Sequence, residues 1–202
     1  MRWPLANSPT LETLLVVLLV FVFQLVASAI GLGIEWFALA APFALYPWTI
    51  VTSVYAHASI THLAMNAVAL LVFGLLVERT TTRGRFHAFV ITTGAIAGIT
   101  EVLVSGTFGG SVAVLGISGA VFALMGYVVA GNPLADAMVG WLEPDRRTQI
   151  LAVVVLAGAV TLVTASQGVA LVAHFTGFAL GLVSGRLRLL RVEDRSRYQA
   201  YR

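Results

Sequence analysis

No cysteine occurs among the 202 residues, and each of the 12 basic residues is an arginine. Without thiols the chain can form no disulfide, no nucleophilic cysteine and no zinc–thiolate centre, and cysteine usage leaves the redox compartment open. Charge is scarce as well: Asp, Glu, Lys and Arg make up 10% of the chain, against roughly 25% in an ordinary soluble domain. Apolar residues take that place at 59%, which excludes a soluble globular domain and predicts a polytopic membrane protein in contact with a lipid bilayer. The net charge of +3 does not argue for nucleic acid, because arginines at the ends of membrane helices are the common cause of a basic balance in so apolar a chain.

Six apolar segments stand out, at 14–34, 60–77, 86–104, 116–130, 149–165 and 169–185. A membrane helix needs about 17 to 25 mostly uncharged residues, and the short breaks between the segments predict an all-α, six-transmembrane-helix bundle. The whole chain, 1–202, is expected to be a single domain ending in a basic cytoplasmic tail at 186–202. The VASA stretch at 26–29 has the small residues of a signal-peptide end, but the long apolar run and the single preceding Arg2 favour an uncleaved first helix. Arginines occupy the amino terminus, the connections after the second and fourth segments, and the tail; the other three connections have none. The positive-inside rule then predicts that both termini are cytoplasmic. Chain size and the absence of a targeting extension lead to the expectation of a prokaryotic plasma membrane.

The fourth segment is short. From Gly116 to the Gly131-Asn132-Pro133 break it offers about 22 Å of helix, while the hydrocarbon core measures about 30 Å. Its outer end therefore lies below the outer surface, preceded by the glycine-rich SGTFGGSVAVL of 105–115. Irregular backbone at that depth is tolerated where it is buried in protein or lines a wet cavity, so a cavity opening outward is expected. Ser118, His174 and Asn66 each lie about 18 Å above the cytoplasmic end of their segments. His62 stands one turn further out than Asn66 on the same helix face.

Gly119 and Ala123, and the series Ala173, Gly177, Gly181 and Gly185, are small-residue stripes of the kind that let membrane helices approach closely. Each polar group also has a plain structural reading: serine beside glycine is ordinary packing material, and an isolated histidine or asparagine can be an interhelical hydrogen bond. Their coincidence at one depth supplies a nucleophile, a base and two donors, the parts that acyl transfer needs.

His57-x4-His62-x3-Asn66 in HASITHLAMN, Gly116-Ile117-Ser118-Gly119, and AHFTGFALG at 173–181 together resemble the rhomboid intramembrane serine proteases. GLLVER at 74–79 followed by Gly84 is similar to the end of that family's second helix. The resemblance runs from about residue 46 to residue 185 and implies an intramembrane serine endopeptidase acting on transmembrane protein substrates. It makes Ser118 the nucleophile and His174 its base, and assigns His62 and Asn66 as oxyanion donors beside the Ser118 backbone. His57, Gly116, Gly119, Phe122, Gly177 and Gly181 take supporting places. The resemblance implies no metal and no cofactor.

Two departures stand out. Phe122 replaces the tyrosine often found in the family, and the 31–48 connection lacks its usual Trp-Arg pair, leaving Trp36 and Trp48 as interfacial anchors. Glu101 fits either a cavity-facing polar group or, as the preferred reading, an interfacial residue near the outer surface, without an evident link to His174. The Val- and Ala-rich fifth segment fits either a mobile wall that admits substrate or an ordinary lipid-facing helix. A metal site of His57, His62 and His174, with Glu101 as a further ligand, is the weaker alternative, since Leu63 follows His62 and the His-Glu-x-x-His pattern is absent. A non-enzymatic relative of the same fold would be expected to have lost Ser118 or His174.

Overall fold

A computed structural model describes residues 7–108, 112–132, 145–164 and 170–192. Arg2, Pro133, the segment ends at 165 and 169, and the tail beyond Val192 lie outside the described residues.

Among the described residues six helices of 13 to 25 residues overlap the six apolar segments, and side-chain caps mark the starts of four of them. Helix α1 (Pro9–Ala29) begins five residues before the expected start, because Ser8 accepts a hydrogen bond from the Leu11 amide and proline occupies the first turn. It also stops five residues early, and Gly31 follows at φ +88°. Helix α2 (Ile60–Val77) is capped by Ser59, which accepts from the His62 amide. Helix α3 (Arg83–Thr107) is capped by Thr82 and α5 (Arg146–Val163) by Asp145. Helices α4 (Ser118–Ala130) and α6 (Leu171–Arg186) have no side-chain cap of their own.

Four stretches among the described residues are long and apolar enough to cross a membrane: Pro9–Ala29, Ile60–Thr80, Arg83–Thr107 and Arg146–Val163. Leu15, Leu19, Phe23, Met65, Val68 and Leu151 are each more than half exposed, and apolar faces of this kind belong against lipid. The protein is thus a membrane-spanning helical bundle. It is not purely helical: β1 (Leu39–Ala40) pairs antiparallel with β2 (Ala113–Val114), Leu39 opposite Val114 and Ala40 opposite Ala113. These strands join two connections that the all-α expectation left unpaired, and hold the chain just before Ser118 against the chain after α1.

Helix α4 forms the centre of the bundle: Ala120, Val121, Ala123 and Leu124 are all buried. Against it lies α6, with main chains in direct contact. A Cβ on Gly177 would collide with the Gly119 carbonyl, one on Gly181 with the Ala123 carbonyl, and one on Gly185 with the Tyr127 carbonyl at 2.6 Å. On the far side of the helix pair, a Cβ on Gly126 would strike the Phe178 carbonyl. At the other end of the bundle Glu78 ties α2 to α1, its Oε2 accepting from Ser8 Oγ at 2.7 Å and from the Thr10 amide at 3.1 Å.

Because the Gly181 contact is backbone against backbone, neither side can yield. Gly181→Val is expected to destabilise the detergent-solubilised protein by about 3 kcal/mol or more. Gly158→Ala, where an added Cβ meets nothing within 4 Å, is expected to raise stability by roughly 0.5–1 kcal/mol through helix propensity. Thermal unfolding of both variants beside wild type checks the pair.

Candidate active site

Ser118 is the first residue of α4 and is half-buried. The turn before it is made by Gly116 at φ +127°, a conformation that side-chain-bearing residues rarely adopt. The Gly116 amide donates to the Ser53 carbonyl at 2.9 Å, anchoring the turn. A Cβ on Gly116 would also sit 2.7 Å from His62 Cε1, so the absence of a side chain there lets the His62 ring lie beside the turn. The first amide of this stretch to find an intrahelical acceptor is that of Val121, bonded to the Ile117 carbonyl at 3.0 Å. The N–H groups of Ser118, Gly119 and Ala120 thus belong to the orphan set of a helix start, and no side chain caps them.

A small, partly open cleft adjoins this helix start, lined by Ser53, Val54, Gly94, Gly98, Val114, Leu115, Gly116, Ser118, Gly119 and Ala173. Glycines on α3 and α4 leave the space open, and Ala173 brings α6 to its edge. His174, the next residue on α6, is buried, with its ring stacked on Phe122 at a centroid distance of 4.0 Å and an interplanar angle of 19°. Phe122 stands one turn after Ser118, so serine and imidazole share a neighbour at one level of the bundle. Among the described residues no direct hydrogen bond joins Ser118 to His174, and His174 Nδ1 is buried without a partner.

Asn66 is buried one turn below His62 on α2, and its Nδ2 is a second buried nitrogen without a partner. Buried donors are nearly always paired in folded proteins, and Asn66 Nδ2, like His57 Nε2, is an exception among the described residues. His57 is different. Its amide donates to Gln24 Oε1 at 2.9 Å, its carbonyl accepts from Gln24 Nε2 at 3.4 Å, and its Nδ1 lies 3.1 Å from the Tyr55 carbonyl. Burial pushes the His57 ring down to about 4, His62 acting in the same direction and the Tyr55 carbonyl opposing. It is a neutral, fastened ring whose centroid lies 5.0 Å from that of His62, placed to support the start of α2.

Two contributors escaped the sequence reading. Gln24, a polar residue in the middle of an apolar helix, carries a signal that intramembrane polarity alone could have raised. Glu101 is the other, and its expected position is corrected by the structure. It is 6% exposed, inside the bundle, with Oε2 accepting from the Ala173 amide at 2.9 Å and Oε1 accepting from Ser105 Oγ at 2.6 Å. The buried amide of α6 is the acceptor's partner, and this holds the carboxyl in rather than at the surface. Trp36 and Trp48 lie together, rings 5.6 Å apart and 27° from parallel, with Trp48 Nε1 donating to the Trp36 carbonyl. Among the described residues no three His, Cys, Asp or Glu side chains form a group able to hold a metal ion.

Residues 44–191 match the Rhomboid domain. RHOMBOID-like protein 4 of Arabidopsis thaliana is 30% identical over 145 residues, a stretch covering 71% of this chain and 34% of the plant protein. The chain therefore spans about a third of that relative's length. The matched residues run from before His57 to beyond Gly185 and include His57, His62, Asn66, Glu101, Ser118 and His174, and on that match the chain belongs to the rhomboid family.

Proposed function

We propose that this protein is an intramembrane serine endopeptidase that cleaves transmembrane segments of membrane-protein substrates through a Ser118–His174 dyad. The observation that carries the reading is the seat of Ser118: an uncapped helix start lining a cavity, one turn from the ring on which His174 stacks. Family membership supports proteolysis as the reaction class.

In this reading Ser118 Oγ attacks a substrate carbonyl while the His174 imidazole takes its proton. The carbonyl oxygen, now negative, is met by the Ser118 amide and by the His62 and Asn66 side chains. His174 returns its proton to the departing amine as the C–N bond breaks, leaving an acyl-enzyme. A water molecule entering the cavity then attacks the ester, giving its proton to His174, which passes it to Ser118 Oγ as the enzyme is freed. No step calls for a metal or cofactor.

A fully formed helix shields its own carbonyls, so the substrate segment must unwind locally before it reaches Ser118. The family resemblance implies a preference for small residues at the cut. The arginine distribution supports a reading with both termini in the cytoplasm and the cavity opening toward the opposite face.

The decisive experiment incubates purified protein in liposomes with a single-span fusion substrate and, separately, with a fluorophosphonate probe. Wild type is expected to cleave and to be labelled in the presence of a chelator. Ser118→Ala and His174→Ala are each expected to lose at least about 10⁴-fold in kcat, and Ser118→Ala to lose all labelling; wild-type turnover in either variant overturns the assignment.

Asn66→Leu separates a donor from a structural amide. Replacing an unpaired buried amide with an apolar group of similar size is expected to leave the thermal midpoint unchanged or higher, while kcat falls about 10²-fold. Unfolding scans and turnover measured on the same preparation check both halves.

A further inference from the structure

Helix α6 carries His174 and starts with a defect. Its amino-terminal cap position is Ala170, which has no side-chain oxygen to offer the orphan amides that follow. The Ala173 amide, at the third position of the helix, is where a serine, threonine or aspartate at the cap would normally donate its acceptor. Here that acceptor arrives from another helix: Glu101 Oε2, 72 residues away in sequence on α3, accepts from it at 2.9 Å. The carboxyl group is itself held by Ser105 one turn further along α3, whose hydroxyl donates to Oε1 at 2.6 Å. Both Glu101 and Ala173 are buried, so water does not compete for the bond.

Resting on the protease reading above, we propose that Glu101 is a positioning residue: it caps α6 from α3 and so fixes the height and rotation of His174, the residue immediately after the capped amide. The His174 amide is the first to make a regular helical bond, to the Ala170 carbonyl at 3.1 Å. If the Glu101 bond is lost, the turn bearing His174 is free to fray, and the imidazole loses its register over Ser118. The Phe122 stack restrains the ring plane but not the helix start. Glu101 does not touch the reacting atoms; it acts through the backbone of α6.

The test compares Glu101→Gln, which keeps an acceptor oxygen toward Ala173, with Glu101→Leu, which removes it. In liposomes with the single-span fusion substrate, Glu101→Leu is expected to lower kcat at least tenfold with KM within twofold of wild type. Glu101→Gln is expected to stay within threefold. Hydrogen exchange of peptides covering 171–176 is expected to quicken at least tenfold in Glu101→Leu and not in Glu101→Gln, with α4 unchanged. A Glu101→Leu protein with wild-type kcat and exchange overturns the proposal, as does Glu101→Gln failing equally.

Should Glu101→Leu not fold, Ser105→Ala frees Oε1 while leaving Oε2 in place. It is expected to lower kcat two- to fivefold with faster 171–176 exchange; unchanged values overturn the proposal. A wild type that shows no Ser118-dependent labelling would sink the protease reading alone, and the exchange measurement would then decide the capping claim by itself.

Discussion

Everything at the site depends on two helices touching through bare backbone. Gly177 meets Gly119, Gly181 meets Ala123 and Gly185 meets Tyr127; the pairing advances four residues on both helices at each contact, so α4 and α6 run parallel in a single register. Side-chain interdigitation tolerates sliding by rotamer changes, but main-chain contact does not, since a shift of even an ångström drives a carbonyl into a glycine Cα. The starts of the two helices inherit that rigidity. Ser118 and His174 stand at the head of a row of contacts that runs from beside them to about three turns away, and under the proposed reading these glycines belong to the functional description.

Length supplies the second constraint. Helix α3 has 25 residues and rises about 37 Å, while α4 has 13 and α6 has 16, rising about 20 and 24 Å. Two short helices beside a long one leave their starts recessed within a bilayer core of about 30 Å. The upper part of α3 then stands as a wall next to both starts. It supplies Gly94 and Gly98 to the cavity and Glu101 to the Ala173 amide. The irregular chain ahead of α4 is stabilised at that depth by the β1–β2 pair and by the Gly116–Ser53 bond, which satisfy backbone groups that lipid would leave unpaired.

What was legible in the sequence follows from where each interaction keeps its partners. The 60–77 segment matches α2 residue for residue, because Ser59 signals its start and the apolar run its body. Ser118, His174, His62 and Asn66 could be singled out because polar side chains in an apolar background announce themselves. The first segment was misplaced by five residues at both ends, since hydropathy does not register a Ser-Pro start or a glycine stop as sharply as backbone geometry does. Glu101 and Gln24 were missed as contributors for a common reason. Each bonds to the backbone of a distant residue, Ala173 and His57, and a backbone amide leaves no mark in the residue type that carries it. The strand pair is hidden likewise, being two residues long on each side and built wholly from main chain.

The two recessed helix starts are chemically alike and are treated in opposite ways. Each exposes amides that its own chain leaves unbonded, and each lacks a capping side chain. At α6 a buried carboxyl from α3 closes the gap. At α4 none does, and the N–H of Ser118 has no intrahelical acceptor or side-chain cap. Unpaired donors cost about 1–3 kcal/mol each when buried, so a bundle selected for stability alone would cap both starts. Under the proposed reading the asymmetry has a cause: the helix bearing the base must be held still, while the helix bearing the nucleophile must keep its amides for an oxygen that becomes negative only when a substrate arrives. Stability is conceded at one helix start and secured at its neighbour, and α3 is the element long enough to reach the second.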